Sequence, residues 1–435
     1  MKLTKSEKSW ILYDVANSAF ILILTATIPV FFRGLVDSAG VEAVANSGIV
    51  QFLFSKNANL ALAGNIQAFE ALKTSLFALV TTISVLVVAF SAPVLGALAD
   101  YKGMKKNLFR GFLIVGVLAC LLLGVMNHWL GYLGLIFIAR IAYASCNVFY
   151  DSMLVDVTED DRMDHVSSYG YAWGYVGSCI PFVVGLFLIL AKPFGLTTAL
   201  ATQISFIITA LWWALFSLPL LKNVEQTHFL ENRENQIGTA FKRIAKTVGK
   251  IKKNPVMFFY IIGYFCYIDG VYTIISMATT YGAEVGIDST GMIIALLVTQ
   301  LVAFPFAIIS GKLAKKFKTL DILRGYIVLY CLICIYGYGL DTMTEFWVLC
   351  VAVAIAQGGI QALSRSYFGK LVPKTESNEY FGFFDIFGKF ADFLGPLIIT
   401  FCAAVFGQSK YGILALAILF VIGFVCLTKV KKYEK

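Results

Sequence analysis

Charged residues are scarce in this chain: Asp, Glu, Lys and Arg make up 14% of its 435 residues, where soluble domains carry roughly 25%. A soluble chain of this length would divide into two or more domains with polar surfaces. The charges needed to cover those surfaces are missing, which excludes a soluble enzyme and a disordered protein. Histidine is almost absent: there are three (His128, His165, His228), all in or beside loops, so a His-based metal site within the apolar segments is excluded. Neither a metal nor a cofactor is expected. The nine cysteines all lie in apolar stretches, and Cys331 and Cys334, a C-x-x-C pair without neighbouring metal ligands, read as buried thiols. A secreted disulfide scaffold is thereby excluded as well.

Apolar residues are what the chain has in excess. They make up 59% of it, aromatic residues 15%, and the mean hydropathy is +0.79. A spanning helix takes about 20 mostly apolar residues, because backbone amides in hydrocarbon must be satisfied within their own segment. On that criterion the chain reads as an all-α membrane protein with twelve transmembrane helices, at 10–32, 75–99, 108–126, 129–153, 167–191 and 199–221, then 256–282, 289–313, 321–340, 345–369, 379–406 and 410–430. The first run follows Lys2, Lys5 and Lys8 without a small-residue cleavage site and is read as a retained span. A polar stretch divides the series, giving an N-terminal six-helix half (1–221), a basic linker (222–254) and a C-terminal six-helix half (255–435). Within the linker, 240–253 is expected as a basic amphipathic helix on the membrane surface or as a solvated connection. The segment between Arg33 and Thr74 gives no clear reading beyond an outer cap.

The net charge of +9 follows the spans rather than forming a nucleic-acid surface. With the N-terminus inside, 28 of the 35 Lys and Arg residues fall on one side of the predicted membrane and five on the other. Such a bias orients the chain with both termini cytoplasmic. The halves also echo each other: Gly96-Ala-Leu98-Ala99-Asp100 and Gly311-Lys-Leu313-Ala314-Lys315 both end the second helix of their half. Two related halves suit alternating access around a midplane site.

Ionisable residues inside the predicted spans cost at least roughly 2.5–3.5 kcal/mol on insertion scales, so they point to function. Five are acidic (Asp14, Asp151, Asp269, Asp385, Asp392) and two basic (Arg140, Lys389). Their spacing gathers polar side chains into stripes. One runs through Arg140, Tyr143, Asn147 and Asp151; another through Asp385, Lys389 and Asp392. Asp14 shares a face with Asn17 and Ser18, Asp269 with Tyr272, Thr273 and Ser276, and Gln357 with Gln361 and Ser364. These stripes suggest a wet cavity, the alternative being internal hydrogen bonds and self-neutralising pairs such as Asp385–Lys389. Asp269 and Lys389 are the first choices for a central site, with Asn17 and Gln361 as hydrogen-bonding walls. Asp14 and Asp151, near helix ends, are expected to gate. A site of both signs suits a zwitterion, and the excess of carboxylates suits proton or sodium coupling.

Gly96-x-x-x-Asp100-x-x-Gly103-x-Lys105-Lys106 resembles the signature loop of the major facilitator superfamily, with Tyr101 and Met104 where basic residues are frequent. Longer strings are more specific. Trp10-Ile-Leu-Tyr13-Asp14-Val-Ala16-Asn17-Ser18, Phe149-Tyr150-Asp151-Ser152, Asp269-Gly270-Val271, Ala362-Leu363-Ser364-Arg365-Ser366 and Gly388-Lys389-Phe390-Ala391 resemble the vacuole-effluxer-like branch of that superfamily along the whole chain. Arg140 belongs to none of these strings. The resemblance implies a secondary transporter rather than an enzyme. The best-known members are eukaryotic vacuolar proteins linked to autophagy and to the movement of amino acids. It also implies a latch between the halves on the cytoplasmic side, assigned to Gly96, Asp100, Gly103, Lys105, Lys106 and Arg365. The expected partners are a small polar substrate, amino acids first, a coupling proton and the lipid bilayer, with no nucleic acid. The chain is expected to act as a monomer, and its short linker and termini suit a prokaryotic plasma membrane. Two other functions stay open: an exporter of drugs or other organic solutes, and a channel or solute sensor without coupled transport.

Overall fold

The fold is taken from a computed structural model, which describes residues 2–231, 236–284, 286 and 289–434, with the side chains of 236, 237, 239, 279, 280, 284, 289, 290, 293 and 391–393 left out. Twelve helices are long and apolar enough to cross a membrane. The first six are α1 (Lys5–Ala26), α5 (Ile66–Ala99), α6 (Met104–Leu123), α7 (Trp129–Ser152), α9 (Asp160–Ala191) and α10 (Thr198–Asn223). The last six are α12 (Pro255–Glu284), α13 (Ser289–Leu313), α14 (Thr319–Tyr338), α15 (Met343–Leu371), α16 (Ser377–Phe406) and α17 (Lys410–Tyr433). Between the two sets lies α11 (Gln236–Lys253), and a short helix α8 (Leu154–Val157) follows α7. We call the face that carries both chain ends and α11 the basic face.

Local chemistry explains where these helices start and stop. Thr4 and Glu7 form a reciprocal capping box at the start of α1, which satisfies two otherwise orphaned donors. The first span ends at Ala26, earlier than the sequence periodicity predicts, because Pro29 cannot supply the amide that would continue the ladder. The chain restarts as α2 (Ile28–Ala39), α3 (Val41–Ala45) and α4 (Gly48–Leu62). The outer segment is therefore helical almost throughout. Lys73 on α5 is buried there, bonded to Asp37 at 2.6 Å and Glu70 at 2.5 Å, and Arg33 joins Glu70 at 2.5 Å. This ionic cluster needs α5 to reach well beyond the hydrocarbon. Its 34 residues span about 50 Å at 1.5 Å per residue, against a core about 30 Å thick.

The two sets meet along α5 with α16 and along α9 with α13 and α15. Both seams depend on glycine. A Cβ on Gly96 of α5 would collide with the backbone carbonyl of Asn378 on α16. A Cβ on Gly311 of α13 would lie 2.8 Å from the Cβ of Ser168 on α9. The two glycines that echo each other in sequence thus occupy equivalent seams, one from each set.

Candidate functional site

A cavity of about 510 Å³, its mouth included, lies between the two sets. The first set contributes Val148 and Asp151 from α7 and Tyr171 from α9; the second contributes Tyr264, Ile268 and Tyr272 from α12, Gln361 and Arg365 from α15, and Asp385, Gly388 and Lys389 from α16, among others. Tyr175 closes one side by donating its hydroxyl to Gln361 Oε1 at 2.8 Å.

Arg365 organises the floor of this cavity. It is 3% exposed, and its guanidinium donates to Asp151 Oδ1 at 3.0 Å, Asp14 Oδ2 at 3.1 Å, Ser167 Oγ at 3.0 Å and the Ser167 carbonyl at 3.2 Å. Three rings surround the same cation: Tyr171 at 4.3 Å, Trp10 at 4.6 Å and Tyr150 at 5.4 Å. A planar, five-donor fork suits such a crowded junction, where lysine could serve only one partner well. One cation here faces two carboxylates, and the Lys389–Asp385 pair at 3.5 Å adds no net charge. Counted with every group ionised, the cavity walls carry two acids and two bases and no net charge, and Asp14 adds one negative charge behind Arg365.

The residues that the sequence singles out divide between places. Asp151, Gln361, Asp385 and Lys389 line the cavity, and Asp14 stands behind it on Arg365. Asn17 donates to Asn147 Oδ1 at 2.9 Å, which pairs the α1 and α7 stripes beside it. Arg140 lies about two turns along α7 from Val148 and is half-buried, off the cavity wall. Asp269 is off the wall too: it is buried and accepts the Gly395 amide at 2.9 Å within the second set. Gln357 faces a different cavity in the second set. The side chain of Asp392 lies outside the described residues.

The latch residues also divide. Gly96 and Asp100 meet the start of α16, and Gly103 makes the left-handed turn (φ +74°) into α6. Asp100 Oδ1 accepts the Asn378 amide at 2.9 Å and its Nδ2 at 3.1 Å, and Oδ2 accepts the Glu379 amide at 3.4 Å. An α-helix presents unpaired amides at its N-terminus, and the carboxylate that ends α5 satisfies those of α16. Lys105 is fully buried and bonds Asp156 at 2.6 Å and Ser377 Oγ at 3.3 Å. Lys106 is half-buried with no role visible in the contacts. Arg365, expected with the latch, sits instead at the cavity, where α15 sets it against Asp14, Asp151 and Ser167 of α1, α7 and α9.

The helix expected over 240–253 is there as α11 (Gln236–Lys253), but its part in the seam carries no sequence signal. Arg243 of α11 inserts between Asp100 (2.8 Å) and Glu379 (2.7 Å) and donates to the Ala97 carbonyl at 3.0 Å. Leu230 pairs with Asp100 and Lys102 through backbone bonds of 2.8 and 3.0 Å, and Asp156 accepts the Thr227 and His228 amides at 3.0 and 2.9 Å. Burial pushes the Asp100 carboxyl up to about 7, against the pull of Arg243, Lys105 and the Asn378 donors. Asp164 adds a further tie across the sets, accepting from Ser366 at 2.6 Å and Lys370 at 2.5 Å. All of the described polar contacts between the sets lie at or on the basic side of the cavity.

Comparison with known proteins fits this architecture. The family "Vacuole effluxer Atg22 like" matches residues 4–434. The "Uncharacterized MFS-type transporter YxiO" of Bacillus subtilis (strain 168) is 42% identical over 432 residues, covering 98% of this chain and 95% of that protein. "Autophagy-related protein 22" of Candida glabrata is 23% identical over 480 residues, covering 95% and 87%. Among solved structures, the human organic anion transporter MFSD10 (TETRAN) superposes with a TM-score of 0.70 at 13% identity, covering 97% of this chain and 99% of that one. The chain belongs to the Atg22 vacuole-effluxer-like family and is a multi-pass membrane transporter of the major facilitator superfamily, not an enzyme.

Proposed function

We propose that this secondary transporter carries a small zwitterionic metabolite, an amino acid first, coupled to protons, with its basic face in the cytoplasm of a prokaryotic plasma membrane. The observation that carries the reading is the cavity around Arg365. Lys389 and Arg365 can meet a carboxylate, while Asp151 and Asp385 can meet an ammonium, within one chamber. The acids and bases of that chamber balance, and a proton on Asp151 would loosen the hold on Arg365. Buried charges left without a partner are strongly unfavourable, so protonation and substrate binding are linked through the same guanidinium.

Alternating access then follows from rocking of the two six-helix halves, 1–221 and 255–435, about the cavity. The seam of Asp100, Asn378, Glu379 and Arg243 acts as the cytoplasmic latch. Lys and Arg concentrate on that face, which supports its cytoplasmic placement.

The test is transport in sealed proteoliposomes with an imposed pH gradient and single labelled amino acids. The expected result is gradient-dependent movement of at least one amino acid, abolished by a protonophore and by Lys389→Gln. Movement indifferent to the gradient would remove the proton; movement of uncharged solutes alone would remove the zwitterion.

A further inference from the structure

We infer that the second six-helix set contains a separate binding cavity for an uncharged amphiphile, an aliphatic body ending in a hydroxyl group. This cavity, of about 700 Å³ with its mouth, is enclosed by α12, α13, α14, α15, α16 and α17 and shares no lining residue with the central one. No Asp, Glu, Lys, Arg or His lines it among the described residues, so an ionised ligand would enter without a counter-charge, at a heavy desolvation cost.

Most of its walls are aliphatic, Ile274, Leu349, Val353 and Leu416 among them, and two polar atoms there have no partner. Gln357 is 5% exposed and its Oε1 receives no hydrogen bond; Thr273 is fully buried and its Oγ1 makes none. The other hydroxyls on the wall are already used, Tyr281 on the Gly337 carbonyl at 2.8 Å and Thr299 on the Ala295 carbonyl at 2.8 Å. Buried polar groups in native proteins are nearly always satisfied. Gln357 Oε1 can only accept and the Thr273 hydroxyl, packed against Gly395, can do either, so a ligand hydroxyl suits the Gln357 oxygen as its donor. Along α15, Gln361 accepts from Tyr175 beside the central cavity, and Gln357, one turn away, also meets Tyr175 but leaves its Oε1 without a donor.

Photolabelling of the full chain in lipid nanodiscs with a diazirine-tagged long-chain alcohol tests this, with labelled residues mapped by mass spectrometry. Saturable labelling of wall residues such as Met277 or Cys350 is expected, with nonanol displacing it about fivefold better than nonane, the value of one hydrogen bond of average strength. In Gln357→Leu that preference disappears. Labelling confined to lipid-facing positions such as Ile418 and Val421, or equal displacement by nonanol and nonane, overturns the proposal. The comparison on the unmodified chain decides the matter even if the variant does not fold.

Discussion

Arg243 donates to Asp100 at 2.8 Å, so a residue of the connecting helix completes the junction between α5 and α16. The segment that joins the two six-helix sets is therefore a part of their closed seam and more than a tether. Hydrogen bonds to charged groups contribute about 1.5–3 kcal/mol. Replacing Arg243 with Gln is expected to shift the closed-to-open ratio of the basic face by roughly ten- to a hundredfold. Spin labels at Asn107 and Thr375, both exposed on that face, would report it as a longer distance population. An unchanged distribution would return α11 to the status of a passive connection.

The same junction gives a pH dependence with a defined sign. Buried in the closed seam, Asp100 has its affinity for a proton raised from the ordinary 3.8 to about 7; exposed by opening, it returns towards the ordinary value. The closed form therefore binds the proton more tightly across that interval. Its advantage is complete below about pH 4 and is lost as pH rises through about 7, by at most about tenfold per pH unit for one proton. The spin-label distances should lengthen across this window in the unmodified protein and stay flat in Asp100→Asn. Arg243→Gln should move the midpoint upward, since Arg243 is the largest pull holding it down.

How far the sequence reaches is visible in Arg365 and Arg243. The twelve spans and the basic bias are legible because hydropathy and charge are local properties, summed along the chain. Asp14, Asp151, Gln361, Asp385 and Lys389 are legible because an ionisable or amide group inside a span has no bland surface to occupy. Arg365 is legible as part of the family-like string, but the string places it with the latch and not at the cavity. Its partners Trp10, Tyr150, Ser167 and Tyr171 come from α1, α7 and α9, and no spacing connects them. Arg243 carries no local signal at all, because in a basic linker one more arginine looks like its neighbours. Asp269 illustrates the opposite case: it lacks a local cation in the sequence, yet it accepts the amide of Gly395, 126 residues away.

Arg365 holds two carboxylates that would otherwise be buried beside each other. Removing one partner of a buried ionic group costs about 3–5 kcal/mol, so Arg365→Ala should lower the thermal midpoint markedly in detergent and abolish transport. Arg365→Lys keeps the charge but not the fork, and should retain much of the stability while losing most of the activity. Asp14→Asn combined with Arg365→Ala should recover part of the lost stability, because one fewer charge is stranded. A lysine variant with full activity would show that charge alone suffices and that the three-ring cradle is packing.

Lys389 and Asp269 separate binding from architecture. Lys389 lines the cavity with Asp385 3.5 Å away, so Lys389→Gln should raise KM or eliminate saturable uptake and leave the thermal midpoint within a few degrees. Asp269 accepts the Gly395 amide inside the second set, where Gly395 packs so closely on Thr273 that a side chain there would collide with its hydroxyl. Replacing this carboxylate with an amide weakens an acceptor that fixes α12 against α16. Asp269→Asn is thus expected to lower the thermal midpoint and the amount of folded protein while KM changes less than about threefold, a factor worth well under 1 kcal/mol. Measuring both quantities on both variants distinguishes the roles. The reverse pattern, a stable Asp269→Asn with lost affinity, would put that carboxylate on the substrate path during another step of the cycle.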